Sequence, residues 1–209
     1  MMKAYMVIKS AIKKGVSGTI IGGLSYVAGY MILAVLLRGQ IRDTYSSLGL
    51  PVEFTTISNQ VGASALPNES KIFGWMWQTA HTVSFKFEAT ALFAETSRIV
   101  ELNTIPIWNN LMYLLPPVIL FISGFVHHRL NNFSGIKGGF SAGISLAVGY
   151  GITFVLGMYL TVWYVDLGLG YISLVPQVGR GILAGFMFPL VFGAFGGFVG
   201  EYFSRSATD

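Results

Sequence analysis

The 209-residue chain contains no cysteine, which removes disulfide scaffolds, thiolate metal sites, iron–sulfur clusters and cysteine nucleophiles at a stroke. Charge is scarce too, at 11% of residues against 53% apolar. Four stretches hold no Asp, Glu, Lys or Arg at all: Gly15 to Leu37, Asn103 to Val126, Gly138 to Val165, and Gly181 to Gly200. Each can cross a hydrocarbon core of about 30 Å, which takes roughly 20 helical residues. Unpaired backbone polar groups are too costly in lipid, and none of the four alternates as a barrel strand would, so helices are expected. Carboxylates are missing from the helix interiors, with Asp166 and Glu201 at the ends. That argues against an ion-coupled carrier or proton pump, which needs an intramembrane acid. Neither a phosphate loop nor a nucleophile–base pair is visible, so no enzyme, catalytic residue, cofactor or bound metal is expected.

The first apolar run follows Lys13 and Lys14 as a secretory signal would. It is too long for a signal core and lacks a small-x-small cleavage site before Arg38, so it is read as a retained helix. Basic residues near helix ends stay on the cytoplasmic side. With the N-terminus inside, that side holds Lys3, Lys9, Lys13, Lys14, Arg129, Lys137 and Arg205, and of the outer basic residues Arg38, Arg42, Lys71, Lys86, Arg98 and Arg180 all but the last are spread over one long connection. Both termini are therefore expected in the cytoplasm of a multi-pass cell-membrane protein. The excess of basic residues reflects this bias, and nucleic acid is not expected as a partner. All four tryptophans, Trp75, Trp77, Trp108 and Trp163, fall on the outer side, as interfacial residues.

Sliding the chain against itself reveals a repeat. At an offset of 120, Gly18, Gly23, Ser25, Gly29, Tyr30, Ile32, Val35 and Leu36 fall on Gly138, Gly143, Ser145, Gly149, Tyr150, Ile152, Val155 and Leu156. At an offset of 73, Pro116, Val118, Gly124, Phe125 and Val126 fall on Pro189, Val191, Gly197, Phe198 and Val199. The expected fold is an all-α membrane protein of two parallel-repeat helical hairpins. Residues 1–130 form the first, with spans 15–37 and 103–126 and an extracellular insertion 38–102. Residues 131–209 form the second, with spans 138–165 and 181–200. Gly18 and Gly22, Gly139 and Gly143, and Gly181, Gly185, Gly193 and Gly197 are spaced four apart, a pattern that brings helix backbones together. Pro116, Pro117 and Pro189 are expected to kink the second and fourth helices.

The insertion begins polar, with Ser46, Ser47, Thr55, Thr56, Ser58 and Asn59. From Glu69 to Ala80 apolar residues recur at helical period after Asn68 or Ser70 as N-cap, which predicts an amphipathic helix on the outer leaflet. Val83, Phe85 and Phe87 alternate with polar residues as in a strand, and Glu88 to Leu102 reads as helix, with Glu95 and Arg98 paired. Asn68-Glu69-Ser70 is a glycosylation sequon on the outer side. His127 and His128 close the second helix as interfacial anchors. His81, with Trp75, Trp77 and Glu88 nearby in sequence, is the best single functional candidate, although packing or a hydrogen bond accounts for it as well. Tyr26, Tyr30, Ser25, Ser145, Tyr150 and Thr153 are the polar groups that could line a path between repeats.

The order K-G, V-A-G-Y, G-W-M-W-Q-T-A-H, Y-L-L-P-P-V-I-L and P-L-V-F-G-A-F-G-G resembles an archaeal, mainly haloarchaeal, family of uncharacterised multi-pass membrane proteins sometimes labelled transporter. Gly74, Trp75 and His81 lie in the most distinctive of these stretches. Together with Tyr30 and Tyr150 they are the candidate functional residues. Two functions fit: a small transporter or channel with a path between the repeats, or a non-catalytic scaffold that binds a partner through its outer insertion. Either would work in the lipid bilayer, as a homo-oligomer or as a subunit of a membrane complex.

Overall fold

The computed structural model describes residues 2–46, 67–91, 94–104, 108–133 and 135–206. The polar stretch read at residues 47–66 lies outside them. In chain order the elements are α1 (Met2–Ser46), α2 (Glu69–Ala80), β1 (Phe85–Ala91), β2 (Ala94–Val100), α3 (Leu115–Asn131), α4 (Gly135–Thr161), β3 (Trp163–Asp166), β4 (Gly170–Pro176), α5 (Val178–Phe188) and α6 (Ala194–Ser206). A π-helical turn, Pro189–Gly193, joins α5 to α6. Four helical stretches are long and apolar enough to cross a membrane: Ile8–Ile41, Asn110–Asn131, Lys137–Thr161 and Val178–Ser204. The chain divides into two compact units, one of residues 1–29, 114–155 and 182–209, the other of residues 30–113 and 156–181.

The first unit is helical and packed on glycine. Gly22 and Gly149 lie where a Cβ would collide with the backbone of Leu146 and Thr19, and Gly124 and Gly196 are pressed in the same way against Gly193 and Phe121. Such approach is open only to a residue without a side chain. Gly18, Gly22, Gly139, Gly143, Gly185, Gly193 and Gly197 are all buried here, as their spacing predicts. Leu120, Leu146, Tyr150 and Phe154 are fully enclosed, while Ile20, Leu24, Ile122, Ile144, Val148 and Ile152 stand exposed. An apolar outer face suits helices whose solvent is lipid. Asn132 ends α3 in the left-handed conformation, its N–H on the His128 carbonyl, as a C-cap does.

The second unit holds a four-stranded antiparallel sheet in the order β2-β1-β4-β3. Its central pair joins the long connection to the short one, with Phe85 opposite Pro176 and Phe87 opposite Leu174. Gly168, at φ +79°, makes the β3–β4 turn, where its N–H is accepted by Asp166 Oδ1 at 2.8 Å. The core of this unit includes Trp75, Met76, Trp77, Phe85, Leu102, Trp163 and Leu174.

Several expectations are corrected. The chain is not all-α. Glu88 to Leu102, read as helix, is most of the β1–β2 hairpin: Glu95 and Arg98 sit opposite Thr90 and Phe87, and Arg98 lies over the Phe87 ring. The third apolar run ends as helix at Thr161, because Trp163 to Asp166 is strand. The helix at Glu69–Ala80 does not rest on a surface, since every residue from Ile72 to Ala80 is buried. Its strongest amphipathic cue, the exposed Asn68-Glu69-Ser70, covers only its first turn. Pro116 and Pro117 do not interrupt α3: they lie in its first turn, directly after a 3-10 turn at Asn110–Leu114, where a missing N–H costs no bond. Pro189 does interrupt its helix and opens the π turn.

Candidate functional site

The most distinctive stretch of the sequence folds into a device for finishing another helix. α4 ends at Thr161, and a helix end leaves its last carbonyls without partners. α2 supplies them from one face. Lys71, Trp75 and Gln78 recur at i, i+4 and i+7, so their side chains align. The Lys71 ammonium donates to the Val162 carbonyl. Trp75 Nε1 donates to the Thr161 carbonyl at 2.8 Å. Gln78 Nε2 donates to Thr161 Oγ1 at 2.7 Å, and Thr161 Oγ1 in turn donates to the Met158 carbonyl at 3.0 Å. A cation at this end also suits the negative pole of the helix. Asn68 starts α2 by accepting the Lys71 N–H on its side chain at 3.0 Å, as an N-cap does.

Gly74 sits between Lys71 and Gln78 on the same face. A Cβ there would collide with the Thr161 methyl and stand 4.0 Å from the Tyr30 ring. Tyr30 donates its hydroxyl to the Ser70 carbonyl at 3.0 Å. Three of the five candidate residues, Tyr30, Gly74 and Trp75, thus converge on the contact between α2 and the end of α4. Lys71, Gln78 and Thr161 complete it. None of these three is among the candidate residues, although the i, i+4, i+7 spacing of Lys71, Trp75 and Gln78 is legible in the sequence.

His81 closes the same helix. Its Nδ1 lies 2.7 Å from the Trp77 carbonyl and its ring meets Trp77 edge-on at 4.8 Å. Full burial pushes its pKa down to about 3, against the pull of that backbone hydrogen bond. His81 is therefore a neutral imidazole donating from Nδ1. Glu88, a sequence neighbour, is engaged on β1 with Lys86, which holds its carboxyl below the usual range. Glu95 is exposed on β2. Among the described residues there is no cluster of three His, Asp or Glu placed to hold a metal ion.

Tyr150 belongs to the first unit. It is fully buried, edge-on to Tyr26 at 5.6 Å and stacked on Phe154 at 6.4 Å. Ser25, another path candidate, bonds Ser123 Oγ at 2.7 Å. His127 and His128 are not interfacial anchors, because both are buried among the helices. His127 Nδ1 lies 3.0 Å from Asn131 Nδ2, and Asn131 Nδ2 lies 3.1 Å from Ser17 Oγ. Asn131 can only donate from that atom, so His127 accepts at Nδ1 and carries its proton on Nε2, 2.9 Å from Ser145 Oγ. Ser145 passes its own proton to the Ala142 carbonyl at 2.9 Å. His128 Nε2 lies 3.3 Å from a Glu201 carboxylate oxygen. In this polar chain His127 is buried and Asn131, Ser145 and Ser17 are half-buried, and no local pattern announces it because the four are scattered over three helices.

No curated protein and no solved structure matches the chain. Residues 9–203 match the sequence profile of DUF7978, described as a family of unknown function, and the chain belongs to that family.

Proposed function

We propose that this protein is a membrane-embedded scaffold, a non-catalytic accessory subunit that presents its sheet to a partner. One observation carries the reading. β2 is an edge strand seven residues long, and its residues from Ala94 to Ile99 are all exposed, with Ile99 54% exposed. An edge open on both faces offers backbone N–H and carbonyl groups to an added strand. The helices support the same reading, since two of the groups suited to line a path, Ser25 and Tyr150, are buried on contacts inside the first unit. In this reading both termini are cytoplasmic, following the lysines of the first helix, and the sheet faces outward. The test is site-specific photocrosslinking in native membranes from Thr96 and Ile99. A discrete adduct at these positions, absent from a probe at exposed Leu111, is expected. Equal labelling at all three positions would reject the reading.

Transport is the second reading, favoured by buried His127, which Asn131 links to Ser17, and by the buried His128–Glu201 pair, since ionisable groups inside a helical bundle mark ion and proton routes. Solute or proton flux in proteoliposomes that falls on Glu201→Gln would establish it. In either reading the two hairpins descend from one duplicated unit. His128 facing Glu201 across α3 and α6 supports this, being the offset of 73 itself. α1 and α4 have drifted from it: Gly18 meets Ser145 and not its match Gly138.

A further inference from the structure

We infer that a groove of about 530 Å³ between α1 and α4 in the first unit is a site for one anionic phospholipid. Ala11, Lys14 and Thr19 line it from α1, and Ser141, Ile144 and Val148 from α4. The volume is in the range of small-ligand sites, about 300–1,000 Å³. Its chemistry is divided along its length. At one end Lys14 Nζ lies 4.5 Å over the Phe133 ring and 3.4 Å from the Asn132 carbonyl. Exposed Lys137 stands one turn before the lining residue Ser141, whose hydroxyl its carbonyl accepts at 2.9 Å, so both lie on one face of α4. Lys14 is therefore the cation that lines the groove, and Lys137 adds positive charge to the same wall of α4.

Further in, the polar lining has no proton to offer. Thr19 Oγ1 donates to the Gly15 carbonyl at 3.0 Å, Ser141 Oγ to the Lys137 carbonyl at 2.9 Å, and Ser145 Oγ to Ala142. With the hydroxyl protons spent on backbone, a sugar or other polar solute would find few donors there, whereas an acyl chain needs none. Ile144 and Val148 are 56% and 45% exposed on a helix long and apolar enough to lie in lipid. The occupant that matches a cationic mouth and an apolar floor open to the bilayer is a lipid with a phosphate headgroup.

The test uses the full chain in nanodiscs of phosphatidylcholine with and without one-third phosphatidylglycerol, and reads the binding of each spin-labelled lipid. Preference for phosphatidylglycerol is expected, and should weaken about fivefold for Lys14→Gln and roughly thirtyfold with Lys137→Gln added, at one favourable contact per lysine. Ala11→Trp, which fills the groove and keeps both lysines, should also abolish it. Lys9→Gln, exposed and outside the groove, should not alter it. Four results would overturn the inference: no headgroup preference, a preference that survives the double variant or the filled groove, an equal loss with Lys9→Gln, or displacement of the labelled lipid by millimolar inorganic phosphate.

Discussion

Replacing Gly74 by alanine tests the seat of α2 on α4 directly. In an exposed helix this change stabilises by about 1 kcal/mol, because glycine is the poorer helix former. Here the new methyl would occupy the space of the Thr161 Cγ2, while the next atoms, Thr161 Cβ at 3.4 Å and the Tyr30 ring at 4.0 Å, are at ordinary contact. Overpacking of a filled core costs about 1–3 kcal/mol, so the single variant should be near neutral to about 2 kcal/mol less stable. Thr161→Ser removes only the obstructing methyl and keeps the hydroxyl that Gln78 and Met158 use. Alone it should cost about 1 kcal/mol, the transfer free energy of one buried carbon. Combined, the alanine methyl takes the vacated space, both penalties disappear, and the double variant should be at least as stable as the native protein. The cycle therefore carries a coupling of about 2 kcal/mol or more in favour of the pair, where residues not in contact would add to within ~0.5 kcal/mol. Reversible unfolding in detergent, followed by tryptophan fluorescence, measures all four proteins. Additive effects, or a Gly74→Ala protein more stable than the native one, would refute the close approach.

Trp75→Phe should cost about 1–3 kcal/mol by leaving the buried Thr161 carbonyl without a donor. Trp108→Phe should cost less, since its Nε1 has no hydrogen-bond partner among the described residues. Gly149→Ala should destabilise more than Gly74→Ala, because its methyl would meet the Thr19 backbone, which cannot rotate away. Gly39→Ala, with open space around it, should stabilise by up to about 1 kcal/mol; thermal melts of both variants decide. His81 binds its proton far more weakly when folded, at a pKa of about 3 against an ordinary 6.5. Its contribution to stability is therefore complete above pH 6.5 and lost as pH falls towards 3, at up to about 1.4 kcal/mol per pH unit. Melting temperatures from pH 7.5 to 4.5 should fall less steeply in His81→Phe.

The helical frame was legible because its signal is long. Four uncharged runs and glycines four apart report on lipid and on backbone contact without reference to anything distant, and each run overlaps one helical stretch long and apolar enough to cross a membrane, although α1 extends well beyond its run at both ends. The sheet was not legible, for the opposite reason. β1 is completed by β4, and Glu88 lies opposite Ser173, 85 positions further along the chain, so half of each strand's pattern is written elsewhere. Exposed β2 has no alternation to find, being open on both faces, and Glu95 with Arg98 imitates a helical pair. Strands depend on their neighbours in a way that helices do not.

The candidate site shows the same division between local and distant information. Gly74, Trp75 and His81 stand out because they lie in the most distinctive stretch of the sequence, G-W-M-W-Q-T-A-H. In the fold each has a mechanical role: glycine for clearance, tryptophan for a carbonyl, histidine for the end of its own helix. The partner that explains Gly74 and Trp75, the last turn of α4, lies some 80 residues away. Its need is general, since every helix that stops beneath a covering layer must find donors for its last carbonyls. Conspicuous residues in a short buried helix are thus as well explained by an unfinished helix nearby as by a substrate. The double substitution at Gly74 and Thr161 separates the two accounts: a ligand site would lose its function when its glycine clearance is filled, whereas a seat rebuilt by Thr161→Ser would hold.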